Sequence, residues 1–123
     1  MTADSVVLIV EDEPMIRMLA VDMLDVLGWS ALEAGLAADA VRMAADKNER
    51  FRVAMVDLGL PDRSGEEVVA ELRRHRPGLP VIITTGRDEH DMDEDLRSGV
   101  VFLGKPYQLS DLEAALDSLK LEA

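Results

Sequence analysis

Short apolar runs, rich in β-branched residues, recur along this chain and constrain its fold more than any other feature. The runs are Val6–Val10, Ser30–Ala34, Val53–Val56, Val81–Thr85 and Val100–Leu103. The second run is weaker than the others, and the runs lack the alternation of apolar and polar residues that a strand with one side facing solvent shows. Continuous apolar strands are typical of a parallel sheet that helices cover on both faces. The runs therefore predict such a sheet.

Segments with helical periodicity separate these runs. Pro14 predicts the start of the first helix, since proline suits the first helical position, and Gly28 predicts that the helix ends before it. The second helix is predicted over Leu36–Lys47. Large apolar residues at helical spacing form the predicted buried face of the first helix. They are Ile16, Leu19, Met23 and Leu27.

Two pairs of polar residues predict where later helices begin. Ser64 and Glu67 stand at the spacing of a capping box, in which each side chain accepts a hydrogen bond from the other residue's amide. Ser110 and Glu113 repeat that spacing before the last helix. The segment Arg87–Ser98 is acidic and has few large apolar side chains to bury. The fourth helix of the alternating order is therefore predicted to be short or mobile.

Five alternating strand and helix units predict one α/β domain over residues 1–123. The predicted fold is a flavodoxin-like, doubly wound, five-stranded parallel sheet of order 2-1-3-4-5, with helices on both faces. Sites in such folds lie at the carboxyl ends of the strands. The residues that directly follow the strands are therefore the candidates for function.

Composition excludes several kinds of function. The net charge of −12 disfavours nucleic-acid binding, which depends on lysine and arginine. The absence of cysteine excludes disulfides, thiol catalysis and cysteine metal sites. The apolar runs are too short to span a bilayer, and the chain does not open like a secretion signal. We predict a cytoplasmic protein whose partners are metal ions and other proteins, with no nucleic acid and no membrane.

Acidic residues follow two of the predicted strands. Glu11 and Asp12 come directly after the first strand, and Asp57 follows the third. The first and third strands are neighbours in the predicted order, so these carboxylates should converge. Two carboxylates about 4 Å apart repel by about 1 to 4 kcal/mol at effective dielectric constants of about 80 to 20. Such a cluster needs a cation, and its oxygen ligands favour Mg²⁺.

Hydroxyl groups and a positive charge stand at the ends of the fourth and fifth predicted strands. Thr84 and Thr85 end the fourth strand, and Lys105 follows the fifth. An ammonium group, a hydroxyl, a divalent ion and a carboxylate at one sheet edge are the parts of a phosphoryl-transfer site. Asp57 is the best-placed nucleophile among them.

These residues together resemble the receiver domain of response regulators, over essentially the whole chain. The resemblance is carried by Glu11-Asp12, Asp57, Pro61, Gly65, Thr85 and Lys105-Pro106. It implies that Asp57 is the phosphoacceptor and binds Mg²⁺ together with Asp12. Glu11 would hold the metal through water, and Gly59 would offer its backbone carbonyl.

The resemblance also implies a switch and a partner. Thr85 would hydrogen-bond the phosphoryl group, Lys105 would pair with its charge, and Phe102 would turn inward on activation. The donor would be a histidine kinase or a histidine phosphotransfer protein. The chain would be a phosphoacceptor that promotes its own phosphorylation and dephosphorylation, not an enzyme. The residues predicted to contact the partner are Pro14, Met15, Met18, Pro106 and Tyr107.

The Thr85-Gly86 pair and the short acidic link after it are similar to a receiver subgroup of alphaproteobacteria with a reduced fourth helix.

Other functions remain as alternatives. A receiver-like adaptor that takes no phosphate is the first alternative, although no site residue is missing. A phosphatase of the haloacid dehalogenase type would need a second acid where Gly59 stands. A flavodoxin-like FMN module would need a phosphate-binding loop where the acids follow the first strand.

Overall fold

The computed structural model describes residues 5–86 and 97–123 of the chain. Within these ranges it contains five strands and four helices, which are numbered in chain order. The strands are β1 (Val6–Val10), β2 (Ser30–Ala34), β3 (Val53–Asp57), β4 (Val81–Thr85) and β5 (Val100–Gly104). The helices are α1 (Pro14–Val26), α2 (Ala37–Ala45), α3 (Gly65–His75) and α4 (Leu109–Ser118). No helix in these ranges is long and apolar enough to cross a membrane.

The strands form one parallel sheet in the order β2-β1-β3-β4-β5. This order confirms the predicted fold class, and β3 and β5 each extend one residue beyond the predicted run. The register sets Val10 opposite Val56 and Asp57 opposite Thr84. The carboxyl ends of β1, β3 and β4 therefore share one edge of the sheet. The prediction of a short or mobile fourth helix falls on residues outside the described ranges.

Successive residues of the central strands point to opposite faces of the sheet, and both faces are covered. Leu8 and Val10 of β1 pack into a cluster that includes residues of α2 and α3. Val7 and Ile9 pack into a second cluster that includes residues of α1 and α4. All four side chains are at most 2% exposed. Burial on both faces explains why these strands are continuously apolar.

The buried face of α1 differs from the predicted one. Ala20 and Leu24 are the buried residues of this helix, whereas Leu19, which the periodicity places on the buried face, is 51% exposed. The other predicted residues of this face are only partly buried, and they are Ile16, Met23 and Leu27. Because the side chain of Ala20 is small, the helix can approach the sheet closely along that line. This packing turns Leu19 toward the edge of the contact.

The predicted capping box of α3 is confirmed, and the predicted box of the last helix is wrong. Ser64 Oγ accepts a hydrogen bond from the Glu67 amide at 3.2 Å, and the Ser64 amide donates to Glu67 Oε1 at 3.5 Å. α4 is capped at Gln108, whose amide donates to Asp111 Oδ2 at 2.8 Å. An acidic residue also stands three positions after Gln108, so the local spacing fits this earlier start as well as a start at Ser110.

The carboxylate of Asp62, in the loop between β3 and α3, caps the amino end of α2. Its two oxygens accept hydrogen bonds from the amides of Ala37 and Ala38 at 3.1 and 3.2 Å. These amides belong to the first turn, where the helix itself supplies no acceptor. Desolvation raises the pKa of Asp62, but the two hydrogen bonds and the charge of Arg63 outweigh it and hold the pKa below its ordinary value. Asp62 therefore ties the loop after Asp57 to α2.

We expect Asp62→Ala to lower the free energy of unfolding by about 1 kcal/mol, the typical cost of losing a helix cap. Because the pKa of Asp62 is lowered by folding, its charge stabilises the protein above the ordinary carboxyl pKa. This contribution is lost as the pH falls through the folded-state pKa. Urea unfolding of wild type, Asp62→Ala and Asp62→Asn at neutral and acidic pH measures both effects. A gap between wild type and Asp62→Ala that stays constant into acid would contradict a charged cap.

Candidate functional site

Three carboxylates meet at the carboxyl edge of the sheet. Glu11 and Asp12 follow the last residue of β1, and Asp57 is the last residue of β3. Since β1 and β3 are paired in the sheet, the two strands deliver these side chains to the same place. One carboxylate oxygen from each of the three residues lies within 4.8 Å of the other two. The predicted convergence is confirmed.

Burial differs among the three acids, and protein donors hold the two buried ones. Glu11 is 4% exposed and Asp57 is 8% exposed, whereas Asp12 faces solvent. Lys105 Nζ donates to Glu11 Oε1 at 3.0 Å and to Asp57 Oδ1 at 3.1 Å. The Gly59 amide donates to Asp57 Oδ1 at 3.2 Å. The carboxylate of Asp57 is therefore fixed through one of its oxygens.

The position of Lys105 follows from the end of β5. Thr85 on β4 pairs with Gly104 on β5, and the Lys105 amide donates to the Thr85 carbonyl at 2.7 Å. The peptide bond between Lys105 and Pro106 is cis. From this point the lysine side chain reaches past β4 to Asp57 on β3. Thr85, at the end of β4, is 5% exposed.

Burial and charge set the pKa values of the site. Burial raises the pKa of Glu11, and the negative charge of Asp57 adds to this, so the pKa stays raised despite the hydrogen bonds from Lys105 and the Glu13 amide. Burial lowers the pKa of Lys105, but its hydrogen bonds to Glu11 and Asp57 outweigh that effect and the pKa is raised. Burial also raises the pKa of Tyr107. The site therefore stabilises the charged ammonium of Lys105.

The donor set fits a hard divalent cation. Three carboxylates face one ammonium, so the cluster keeps a net negative charge when all four groups are ionised. Carboxylate oxygens are ligands that Mg²⁺ prefers. Because one of the three acids, Asp12, is exposed, the site has room for the water molecules that this ion keeps as ligands. Glu11, Asp12 and Asp57 are the residues that would hold it. The role of the Gly59 carbonyl stays a prediction.

The remaining predicted residues lie around this cluster. Met15 and Met18, on the first turns of α1, are 67% and 53% exposed. Pro14 and Pro106 are also exposed, and Tyr107 is half-buried. Phe102 on β5 is partly buried and packs against the core on the side of α2 and α3. The predicted roles of Phe102 and Tyr107 stay predictions.

A groove beside the cluster was not predicted from the sequence, although two of its lining residues, Pro106 and Tyr107, were predicted to contact a partner. It has a volume of about 270 Å³ and lies between α1 and the loop after β5. Its lining is mostly apolar and consists of Ile16, Leu19, Met23, Lys105, Pro106 and Tyr107. Periodicity predicts a core position for the three residues of α1 in this lining, because it does not distinguish a buried face from a groove. No local signal marks the groove, since its two walls come from opposite ends of the chain.

Comparison with known proteins decides the family. The profile of the response regulator receiver domain matches residues 7–117. The chain belongs to this family. Receiver domains are parts of two-component systems, and the acidic cluster of Glu11, Asp12 and Asp57 fits the Mg²⁺ and phosphorylated aspartate of such systems.

Individual receiver domains are similar to this chain in sequence and in fold. The probable transcriptional regulatory protein TcrX of Mycobacterium tuberculosis is 33% identical over 118 residues, covering 92% of this chain and 48% of that protein. The chain thus spans about half the length of that relative. The receiver domain from Methylobacillus flagellatus superposes with a TM-score of 0.80 at 26% identity, covering 93% of this chain and 97% of that one.

A third relative bears on the metal. The receiver domain of the sensor histidine kinase PA1611 from Pseudomonas aeruginosa superposes with a TM-score of 0.78 at 26% identity, covering 96% of this chain and 99% of that one. Its structure has a magnesium ion coordinated in the active-site cleft. The acidic cluster of the present receiver domain can likewise hold a metal ion.

Proposed function

We propose that this receiver domain accepts a phosphoryl group on Asp57 from a phosphohistidine, with Mg²⁺ bound, and changes its protein-binding surface in response. The donor is a histidine kinase or a histidine phosphotransfer protein in the cytoplasm. The observation that carries this proposal is the contact of Asp57 Oδ1 with Lys105 Nζ at 3.1 Å, inside a cluster of two further carboxylates. Charge of both signs around one fixed aspartate is what transfer of an anionic group requires.

The proposed reaction moves one phosphoryl group between two nucleophiles. An oxygen of Asp57 forms the new bond to phosphorus as the bond from phosphorus to the donor's imidazole nitrogen breaks, and that nitrogen keeps the electron pair. Bound Mg²⁺ would supply positive charge that offsets the carboxylates and the phosphoryl oxygens. The Gly59 amide and Lys105 hold Oδ1, which orients the carboxylate of Asp57. The chain takes up the group and later loses it to water, so it is a phosphoacceptor and not an enzyme with external turnover.

The proposed switch uses residues on β4 and β5. Thr85 is buried at the end of β4 and would hydrogen-bond the phosphoryl group. Phe102 on β5 is only partly buried, so turning inward would bury more of the surface of its side chain. We also propose membership of the alphaproteobacterial subgroup, on the Thr85-Gly86 pair and the short link that follows it.

The proposed donor surface is the groove between α1 and the loop after β5. Lys105 lines this groove and also contacts Asp57, so a partner seated there lies next to the phosphoacceptor. The exposed side chains of Met15 and Met18 add apolar surface on the same helix. Methionine adapts to different partner shapes, which suits transient docking. The partner is expected to offer an apolar surface with its histidine at the edge.

Phosphorylation by a small donor tests the proposal without a partner. We expect incubation with phosphoramidate and Mg²⁺ to add one phosphoryl group, located on the peptide that contains Asp57 by mass spectrometry. A chelator should slow the reaction by at least about tenfold, because the carboxylates then lack their counter-ion. A phosphoryl group on another peptide, or the same rate with chelator, would contradict the proposal.

A further inference from the structure

Arg17 on α1 contacts the peptide backbone of the acidic cluster without contacting any of its carboxylates among the described residues. Its Nη1 donates to the backbone carbonyl of Glu11 at 2.7 Å, and its Nε donates to Glu33 Oε1 at 3.2 Å. The side chain of Arg17 is 22% exposed, and that of Glu33 is 50% exposed. The guanidinium group therefore links α1, the end of β1 and β2.

The hydrogen bond from Arg17 completes the restraint on Glu11. The Glu11 amide donates to the Ala34 carbonyl on β2 at 3.0 Å. The Glu11 carbonyl belongs to the peptide group that joins it to Asp12, and Arg17 is its donor. Glu11 is thus held on both sides, at the point where two neighbouring carboxylates must project into one site against their mutual repulsion. Free rotation of that peptide group would let Asp12 turn away into solvent.

We propose that Arg17 is a positioning residue for the metal-binding carboxylates of Glu11 and Asp12. The inference rests on the proposed Mg²⁺ site and goes beyond it, since Arg17 would not touch the ion. Groups that orient metal ligands typically change metal affinity by about 10- to 100-fold when they are removed.

The charge of Arg17 acts in the opposite direction to its positioning effect. A guanidinium near the cluster repels a divalent cation, so its removal alone would tighten Mg²⁺ binding. Loss of the hydrogen bond to the Glu11 carbonyl would weaken binding because the carboxylates are no longer held together. The sign of the change in affinity therefore separates the two effects.

Calorimetric titration with Mg²⁺ at fixed pH and ionic strength is the test. We expect Arg17→Met, which keeps most of the side-chain length, to raise the dissociation constant at least about tenfold. Arg17→Lys keeps the charge but not the two-armed geometry, so we expect an intermediate loss. Glu33→Gln keeps an acceptor for Nε and should bind Mg²⁺ within about twofold of wild type. Arg42→Met, in the last turn of α2, removes one surface charge elsewhere and should also leave binding within about twofold.

Melting temperature without Mg²⁺ is recorded for each variant, because a purely structural role would lower it and leave the dissociation constant of the folded protein unchanged. Equal or tighter binding by Arg17→Met would overturn the inference while the metal site stands. If Arg17→Met does not fold, Arg17→Lys takes its place, and wild-type affinity in that variant overturns the inference. Absence of Mg²⁺ binding in wild type would overturn the proposed metal site and the inference with it.

Discussion

Asp57→Asn is expected to abolish phosphorylation by phosphoramidate in the presence of Mg²⁺. The amide of asparagine is almost the same size as the carboxylate but is a far poorer nucleophile, so the fold is kept and the reaction is lost. The remaining carbonyl oxygen can still accept from Lys105, which contacts Oδ1 in wild type. We expect no phosphoryl group by intact-mass measurement after a time at which wild type is fully modified.

Asp12→Asn is the matched control for this variant. It changes one carboxylate of the same cluster but leaves the proposed nucleophile in place. We expect it to need a higher Mg²⁺ concentration and still to become phosphorylated on Asp57. Phosphorylation of Asp57→Asn to the wild-type extent would refute the assignment of Asp57 as the phosphoacceptor. If Asp12→Asn loses phosphorylation completely while Asp57→Asn keeps it, Asp12 would be the phosphoacceptor.

Arg76→Ala is expected to cause a large loss of stability for a substitution outside the core. Arg76, at the end of α3, donates from Nε to the Ala44 carbonyl at 2.9 Å. Its Nη2 donates to the carbonyls of Asp46 at 2.9 Å and Glu49 at 2.7 Å. The guanidinium carbon also lies 4.4 Å from the centre of the Phe51 ring. One side chain thus holds the end of α2 and the loop that leads to β3.

The expected cost follows from these contacts. Hydrogen bonds to a charged group contribute about 1.5 to 3 kcal/mol each, and a cation over an aromatic ring adds about 0.5 to 1 kcal/mol. The contacts share one side chain and water can reach the carbonyls, so they do not add in full. We expect Arg76→Ala to lower the free energy of unfolding by about 3 kcal/mol, measured by urea denaturation.

Two variants control this experiment. Arg76→Lys keeps the charge, but an ammonium lacks the planar fork through which the guanidinium bonds three carbonyls, so we expect a loss of about 2 kcal/mol. Arg74→Ala removes an exposed arginine from the same helix and should stay within about 0.5 kcal/mol of wild type. Equal stability of Arg76→Ala and Arg74→Ala would show that the contacts of Arg76 contribute nothing.

The sheet and the acidic cluster could be predicted from the sequence alone. Continuous apolar runs such as Val6–Val10 are compatible with strands buried on both faces, and the alternating order then permits few topologies. Once β1 and β3 are known to be neighbours, the residues at their carboxyl ends must meet. The convergence of Glu11, Asp12 and Asp57 could therefore be predicted from the sequence. Lys105 followed from the same rule applied to β5. These inferences depend on local pattern and strand order, both of which can be read along the chain.

The packing of α1 and the hydrogen bonds from side chains to particular backbone groups could not be predicted from the sequence. Periodicity predicted a buried face of large side chains, but Ala20 and Leu24 are the buried residues of α1, and Leu19 is exposed and lines the groove. Asp62 and Arg76 bond backbone groups 25 and 32 positions away in the sequence, and Arg17 bonds the carbonyl of Glu11 across the turn between β1 and α1. A backbone carbonyl or amide is present at nearly every residue, so nothing in a sequence marks the one that a distant side chain will bond. That choice is made by the distances between packed elements, which exist only in the folded chain.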